Sequence, residues 1–240
     1  MRIAGVDLAW RSQKNPSGVC IGKISDGVVK VTEIYPAIYG ITKVLEVLIG
    51  ASDLCGIAID APLIIKNDSG QRLCEKSLSK FYASRWAGCH PTNKTLYPNA
   101  KSVELSRKLE KEGFSHLQGK KWQIECYPHP AIIEIFGLEK RLLYKKGKVS
   151  EKKEGQKRLA KFLKNLCESK MVKLFFEVDV PNVEEKYIHS LRGKQLKNNE
   201  DTLDSILCLY IAALYRLDIK SSTFGTVEDG YIYVPQQYCM

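Results

Sequence analysis

Arg2-Ile3-Ala4-Gly5-Val6-Asp7-Leu8-Ala9-Trp10 is the stretch on which the predicted fold depends. It is a short apolar run rich in Ile, Val and Leu, and such a run predicts a buried strand. Asp7 stands near its end, where a buried strand normally carries a branched apolar side chain. An ionised carboxylate is costly there unless a cation, several N–H donors or a metal ion pairs with it. Asp7 is therefore the first candidate for a functional residue.

Composition narrows the class of protein. The chain has 240 residues, of which 44% are hydrophobic, so it can bury a core in one large domain or two small ones. The formal net charge of +10 indicates a polyanionic partner, most often nucleic acid. Eight cysteines without a C-x-x-C pair favour small buried hydrophobes over a disulfide framework or a zinc site. No signal peptide and no apolar run of about 18 residues is visible, which predicts a soluble, cytoplasmic protein without a membrane span.

The order of the predicted elements indicates an α/β fold. Two β-rich runs joined by Ser25-Asp26-Gly27 predict a hairpin, so three antiparallel strands are expected at the N-terminus. A helix over 41–49 and a second buried strand over 55–61 follow, which predicts a parallel crossover beside the first strand. The later predicted elements are helices at 71–86, 100–112, 131–136, 182–191 and 198–217, a buried strand at 122–127, and two short β-like pieces at 223–227 and 231–234.

This order is that of the ribonuclease H-like fold, in which the first and fourth strands lie side by side. We therefore predict one domain over residues 1–240, built on a central mixed five-stranded sheet flanked by helices. A helical insert at about 66–120 follows the fourth strand, and a basic insert spans about 138–195.

Acidic residues recur at the ends of the apolar elements. Asp7 and Asp60 each end a predicted strand, and Glu125 stands in the strand at 122–127. Asp201 and Asp204 lie three residues apart at the start of the last long helix, so they share one helix face. Carboxylate oxygens at this density suit a hard divalent ion, Mg²⁺ or Mn²⁺. Two such ions about 3.5–4 Å apart can activate water and stabilise the leaving oxygen of a phosphodiester.

Each acid also has a structural interpretation. Asp7 and Asp60 could cap turns, and Glu125 could pair with Arg72 or a lysine. Asp201 could be an acid favoured by the helix dipole, and Asp204 could likewise be structural. Only the coincidence of all these acids with one fold favours a site.

Four further residues are candidate substrate contacts: Arg72, His129, Lys145 and Lys146. Arg72 could touch phosphate, and His129, between two prolines, could carry a proton or contact phosphate. Lys145 and Lys146 belong to the segment Lys140–Lys164, which holds eleven Lys or Arg and two Glu. A solvated basic face and a structural histidine are the alternatives.

Seven pieces of the chain carry a family resemblance. They are Gly5-Val6-Asp7-Leu8-Ala9-Trp10, Ser17-Gly18, Ile57-Ala58-Ile59-Asp60-Ala61-Pro62-Leu63, Arg72-Leu73-Cys74-Glu75, Glu125-Cys126-Tyr127-Pro128-His129-Pro130-Ala131, Asp201-Thr202-Leu203-Asp204-Ser205 and Gly230-Tyr231-Ile232-Tyr233-Val234-Pro235. In these pieces the sequence resembles a domain-of-unknown-function family of predicted RNase H-like nucleases. The resemblance implies an RNase H-like fold and an acidic site at Asp7, Asp60 and Asp204, completed by Glu125 or Asp201.

The function expected from the sequence is that of a metal-dependent nuclease acting on DNA or RNA. In this hypothesis Asp7, Asp60, Glu125 and Asp204 are catalytic, and Asp7, Asp60, Asp201 and Asp204 hold the metal. A nucleic-acid-binding protein with a vestigial site is the main alternative. A phosphotransferase of the actin-like or sugar-kinase type ranks last, because Leu8-Ala9-Trp10-Arg11 supplies no glycine-rich phosphate loop.

Overall fold

Three antiparallel strands open the chain in the computed structural model, which describes residues 1–12 and 14–236. β1 (Arg2–Asp7) pairs with β2 (Pro16–Ser25), and β2 pairs with β3 (Val28–Tyr39). Asp26 and Gly27 both have positive φ, as a two-residue type I′ hairpin turn requires. The predicted N-terminal hairpin is confirmed.

Parallel strands extend the sheet on the other side of β1. α1 (Ile41–Gly50) leads into β4 (Leu54–Asp60), which pairs in parallel with β1, as the crossover predicts. β6 (Trp122–Glu125) pairs in parallel with β4. Two more parallel strands complete the edges, β5 (Ser115–His116) beside β6 and β7 (Lys173–Phe176) beside β3. The strand order is β5-β6-β4-β1-β2-β3-β7, a mixed sheet in an α/β fold.

The predicted number of strands in this sheet is wrong: within residues 1–12 and 14–236 the sheet has seven strands, not five. The five predicted strands are its middle, and β5 and β7 are the additions. β5 is only two residues long and therefore has no periodicity to detect. β7 is the short run Lys-Leu-Phe-Phe within the segment predicted as a basic insert.

Helices cover the sheet, and a separate hairpin follows them. They are α2 (Leu73–Tyr82), α3 (Lys101–Lys111), α4 (Pro128–Ile135), α5 (Val149–Asn165), α6 (Glu185–Ser190) and α7 (Gly193–Arg216), with 3₁₀ turns at Leu166–Glu168 and Pro181–Val183. β8 (Ser221–Thr226) and β9 (Gly230–Pro235) form the hairpin. α4 begins three residues before the predicted helix because proline is well tolerated at a first helical position. In the part of the chain that the structure describes, no helix is long and apolar enough to cross a membrane.

The two faces of the sheet bury different layers. α7, α4 and α5 pack on the face that carries Ile3 and Ala58. α1 and α3 pack on the face that carries Ala4, Val6 and Ile59. Because side chains alternate along a strand, every odd-numbered residue of β1 and every even-numbered residue of β4 near its end faces α7.

α7 lies directly on the backbone of the central strands. A Cβ added to Gly5 of β1 would stand 2.0 Å from the backbone nitrogen of Leu209 and 2.2 Å from the carbonyl oxygen of Ser205. A Cβ on Gly18 of β2 would stand 2.4 Å from the carbonyl oxygen of Asp201. Two glycines without side chains thus fix how close, and where along its length, α7 meets β1 and β2.

Replacing Gly5 by alanine tests this contact. Overpacking typically costs about 1–3 kcal/mol. Because the obstructing atoms belong to the backbone, Gly5→Ala should lower the free energy of unfolding by an amount at the upper end of this range. Urea denaturation followed by circular dichroism measures it. Gly50→Ala is the matched control, because Gly50 ends α1 with no atom within 4 Å of an added Cβ. That variant should be unchanged or up to about 1 kcal/mol more stable. Equal effects of the two substitutions would contradict the close approach.

Candidate metal centre

Three carboxylates meet where β1 and β4 end. Asp7, Asp60 and Asp204 each offer one oxygen, and these three oxygens lie within 4.8 Å of one another. Asp204 is fully buried, whereas Asp7 and Asp60 are partly exposed. The sequence predicted these three acids at one sheet edge, and the structure brings all three together.

Strand register and helix position explain this meeting. Asp7 and Asp60 are direct partners in the parallel β1–β4 pair, so they leave the sheet side by side. By the alternation along each strand, both face α7. Asp204 directly precedes Ser205, whose carbonyl oxygen approaches Gly5, and the close packing of α7 brings the Asp204 carboxylate down to the two strand acids.

Tyr144 and Lys145 complete the surroundings of the acids. The Tyr144 hydroxyl donates to Asp204 Oδ1 at 2.6 Å. Lys145 Nζ lies 2.6 Å from Asp204 Oδ2 and 3.9 Å from Asp60 Oδ2. At this distance the Lys145 ammonium is the partner of Asp204 Oδ2, which has no other polar partner among the described residues.

A glycine of α5 holds the segment that carries this tyrosine and lysine. A Cβ on Gly155 would stand 1.9 Å from the carbonyl oxygen of Leu143 and 2.6 Å from Tyr144 Cα. The segment before α5 therefore rests on the helix backbone, and Tyr144 is completely buried. α5 thus positions the cation of the site although it contributes no side chain to it.

Burial and mutual repulsion raise the pKa values of the strand acids. Burial raises the pKa of Asp7 well above its usual value, with Lys145 lowering it and repulsion by Asp204 and Asp60 raising it. The pKa of Asp60 is raised to about 7, again chiefly by burial, with Lys145 lowering it and Asp204 raising it. For Lys145, burial lowers the pKa, but the attraction of Asp204 and the other neighbours raises it well above the usual range. Lys145 is therefore a permanent cation within the acid cluster.

Glu125 lies on the other face of the sheet. It is the register partner of Ile59, one residue before Asp60, so its side chain projects away from α7. The Arg72 guanidinium binds both of its oxygens, Nη2 to Oε1 at 2.6 Å and Nη1 to Oε2 at 2.9 Å, and the Leu63 N–H donates to Oε2 at 2.8 Å. The structural interpretation, an ion pair with Arg72, describes this contact, and the geometry gives Glu125 no place in the acid cluster.

Arg72 is equally occupied. Its Nε donates to Glu75 Oε1 at 2.9 Å, and its Nη1 also donates to the carbonyl oxygen of Ile64 at 3.0 Å. Burial lowers the pKa of Arg72, but the charge of Glu125 and its hydrogen bonds raise it, and the net shift is upward. With 3% of its surface exposed and four of its five N–H donors engaged, Arg72 is a structural partner and is not placed for the phosphate contact that the sequence suggested. The pair ties the start of α2 to the ends of β4 and β6.

The remaining predicted residues surround the centre at different depths. Asp201 pairs with Lys197 of its own helix, whose Nζ lies 2.5 Å from its Oδ1. It is not among the three acids whose oxygens meet, although its charge contributes to raising the pKa of Asp7. His129 packs its ring 5.7 Å from that of Tyr144, and its buried Nδ1 has no hydrogen-bond partner among the described residues. Burial, and then Lys145, lower the pKa of His129 well below its usual value, so it is neutral. Lys146 is exposed beside the site.

Sequence reasoning missed Tyr144 and the place of Lys145. The signal was present in the apolar Leu142 and Tyr144, which interrupt the run of cations and are both buried. A run of charge broken by buried residues is anchored at that point, whereas an uninterrupted one is solvated.

A family model connects the chain to known sequences. The model described as "Protein of unknown function (DUF429)" matches residues 5–228. The chain belongs to the DUF429 family. The expected membership of an uncharacterised family is thus confirmed, and the part that matches the DUF429 model includes all three acids of the centre. No curated protein and no solved structure gives a significant match.

Breaking the buried ion pair should be costly. In Glu125→Gln the Arg72 guanidinium loses its anionic partner inside the protein, and the free energy of unfolding should fall by about 3–5 kcal/mol. Urea denaturation measures this fall. Glu104→Gln is the control, since Glu104 forms exposed pairs with Lys101 and Lys108, which are worth about 1 kcal/mol or less. If Glu125→Gln costs no more than Glu104→Gln, the pair does not hold the sheet to α2.

The raised pKa of Asp60 predicts how the metal-free protein responds to pH. An unfolded chain releases this proton near pH 4, whereas the folded protein keeps it up to about pH 7. Between these two pH values the folded protein binds more protons than the unfolded chain, so the free energy of unfolding falls as the pH rises from about 4 to about 7. In EDTA, Asp60→Asn should lose less unfolding free energy between pH 5 and 7.5 than the wild type, as judged by urea denaturation. Asp179→Asn, at an exposed position, should decline like the wild type. An identical decline in Asp60→Asn would contradict the raised pKa.

Proposed function

We propose that this protein is a metal-dependent nuclease with an RNase H-like fold, hydrolysing phosphodiester bonds in nucleic acid. The observation that carries the proposal is the convergence of Asp7, Asp60 and Asp204 from three separate elements to within 4.8 Å. Such a convergence of like charges in a partly buried place is unfavourable for stability and is typical of functional sites.

The arrangement of strands supports the fold assignment. The middle of the sheet has the order β3-β2-β1-β4-β6, antiparallel up to β1 and parallel beyond it. The first and fourth strands are adjacent, and the last long helix crosses them. This is the arrangement expected of the RNase H-like fold from the order of elements in the sequence.

The donor set fits a hard divalent cation. Three carboxylate oxygens suit Mg²⁺ or Mn²⁺, and the buried Asp204 Oδ2 has no polar partner among the described residues apart from the Lys145 ammonium. Asp7, Asp60 and Asp204 would hold the metal, which when bound supplies an activated water and charge stabilisation for a leaving phosphodiester oxygen. Tyr144 orients the Asp204 carboxylate through its hydrogen bond to Oδ1. The neutral imidazole of His129, beside Tyr144, leaves the positive charge of the site to Lys145.

One observation favours a second candidate, a nucleic-acid-binding protein whose acidic site no longer takes metal. Lys145 already supplies a cation between Asp204 and Asp60. A buried ammonium in that position balances part of the negative charge that would attract a divalent ion. The two candidates differ in whether a divalent ion binds at the centre.

Thermal melts of the wild type and of Asp7→Asn in EDTA, Mg²⁺ and Mn²⁺ separate these candidates. A metal that binds only the folded protein stabilises it by about 2.7 kcal/mol at a hundredfold excess over its dissociation constant. The wild type should therefore melt at a higher temperature with metal. Asp7→Asn removes one of the clustered charges, so it should be as stable as the wild type in EDTA or more so, and should lose most of the metal response.

Cleavage assays on labelled single-stranded, duplex and branched DNA and RNA complete the test. The wild type should cleave at least one substrate with Mg²⁺ or Mn²⁺, and Asp7→Asn should not. Asp179→Asn, the exposed control, should keep both the metal response and the activity. A wild-type melt that neither ion alters at millimolar concentration, with binding of nucleic acid but no cleavage, would overturn the nuclease proposal in favour of the vestigial site.

A further inference from the structure

An aromatic platform with a cation lies directly after β1. We define it as Trp10, Tyr97 and Arg11. The Trp10 and Tyr97 rings meet edge to face with centroids 4.7 Å apart. The exposed Arg11 guanidinium lies 5.0 Å from the Trp10 centroid and 5.3 Å from that of Tyr97. Two partly exposed rings with an arginine over them form the kind of surface on which nucleobases stack.

The platform is fixed to the acid centre by the backbone. Trp10 follows Asp7 by three residues, and its carbonyl oxygen accepts a hydrogen bond from the N–H of Lys101 at the start of α3. A cleft of about 130 Å³ has both Asp60 and the Trp10–Arg11 pair in its wall. The platform therefore shares a cleft with Asp60, one of the three acids of the candidate metal centre.

A basic groove continues from the far side of the platform. It has a volume of about 1000 Å³ and is bordered by Tyr97, by α3 and by the segment 63–66 that leaves β4. Its lining contains six Lys or Arg and two Glu: Lys66, Lys94, Lys101, Arg107, Lys108, Lys111, Glu104 and Glu110. Tyr97 belongs both to this groove and to the platform, so the two surfaces are continuous.

Three of the six groove cations have an anionic partner. Lys94 pairs with Asp68, and Lys101 and Lys108 share Glu104. Lys66, Arg107 and Lys111 are exposed and make no ion pair within residues 1–12 and 14–236. Unpaired cations along a groove are available to neutralise phosphates.

We propose that the platform and the groove together form the track for one strand of nucleic acid, leading away from the acid centre. One base stacks on the ring of Trp10 in the place that the Arg11 guanidinium now occupies, Arg11 turns to the adjoining phosphate, and the phosphates that follow run past Lys66, Arg107 and Lys111. Only the direction assigned to the strand, away from the acid centre, rests on the proposed function. It specifies a single strand, because a base inside a duplex has no free face for the platform.

Tryptophan fluorescence in EDTA tests the stacking without any cleavage. The chain has three tryptophans, of which Trp122 is buried and Trp86 lies exposed near Lys140. Twelve-nucleotide oligothymidylate and oligouridylate should quench the emission of the wild type. In Trp86→Phe, which keeps Trp10, they should still quench the emission. In Trp10→Phe, they should leave the emission essentially unquenched. Inorganic polyphosphate, which has charge but no base, should not quench the emission of the wild type or of either variant.

The salt dependence of binding tests the groove. For single strands the logarithm of affinity falls with that of salt by about 0.7 per phosphate neutralised. The double variant Lys66→Ala/Arg107→Ala should therefore lower the slope by about 1.4. Lys161→Ala/Lys170→Ala is the matched control, since it removes two exposed cations outside the groove, and its slope should equal that of the wild type.

Three results would overturn the track. They are full quenching in a folded Trp10→Phe, quenching by polyphosphate equal to that by the oligonucleotides, and an unchanged slope in the groove variant. Circular dichroism establishes that each variant is folded, and Arg11→Ala, which alters only an exposed side chain, gives a second measure of stacking through a weaker quench. A track that binds without metal-dependent cleavage would refute the nuclease alone, whereas cleavage with unaltered binding in the variants would refute the track alone.

Discussion

The close contact between α7 and the central strands is the constraint on which the rest of the structure depends. At Gly5 and Gly18 the helix backbone rests on the strand backbone, at a distance that no side chain permits. Any larger residue would lift or slide the helix, and Asp204 would move with it. The helix acid reaches the strand acids because two positions that carry no side chain set the height of α7 above the sheet.

Charge balance is the second requirement, and two buried ion pairs meet it on opposite faces. On the α7 face, Lys145 stands among Asp7, Asp60 and Asp204 and offsets their repulsion. On the other face, Arg72 pairs with both Glu125 and Glu75 and connects α2 to the sheet. Around Lys145 two of the acids, Asp7 and Asp60, remain partly exposed, whereas Glu125 is buried with both of its oxygens occupied. Acids paired with a cation therefore form an accessible site in one place and a closed structural contact in the other.

The sequence predicted much of this arrangement and failed where partners are remote. β1, β4 and the Asp-Gly hairpin follow from local pattern, and the three acids of the centre follow from strand ends and a helix face. Whether Glu125 joins them depends on which face it occupies, and that is decided by its register with Ile59, which lies 66 positions earlier. Arg72 and Glu125 are 53 residues apart, so no local pattern shows that they satisfy each other. β5 and β7 are too short to be recognised without their neighbours in the sheet.

The long sequence separation of the three acids has a consequence for how the protein is made. Asp7 leaves the ribosome long before α7 (Gly193–Arg216), which covers the same face of β1. β1 and β4 must therefore wait, with one apolar face uncovered, until α7 has been synthesised. Non-local contacts of this kind fold slowly and leave intermediates with exposed apolar surface, so the nascent chain needs protection from aggregation. The centre itself is complete only when the last long helix docks, and no shorter N-terminal product can carry it.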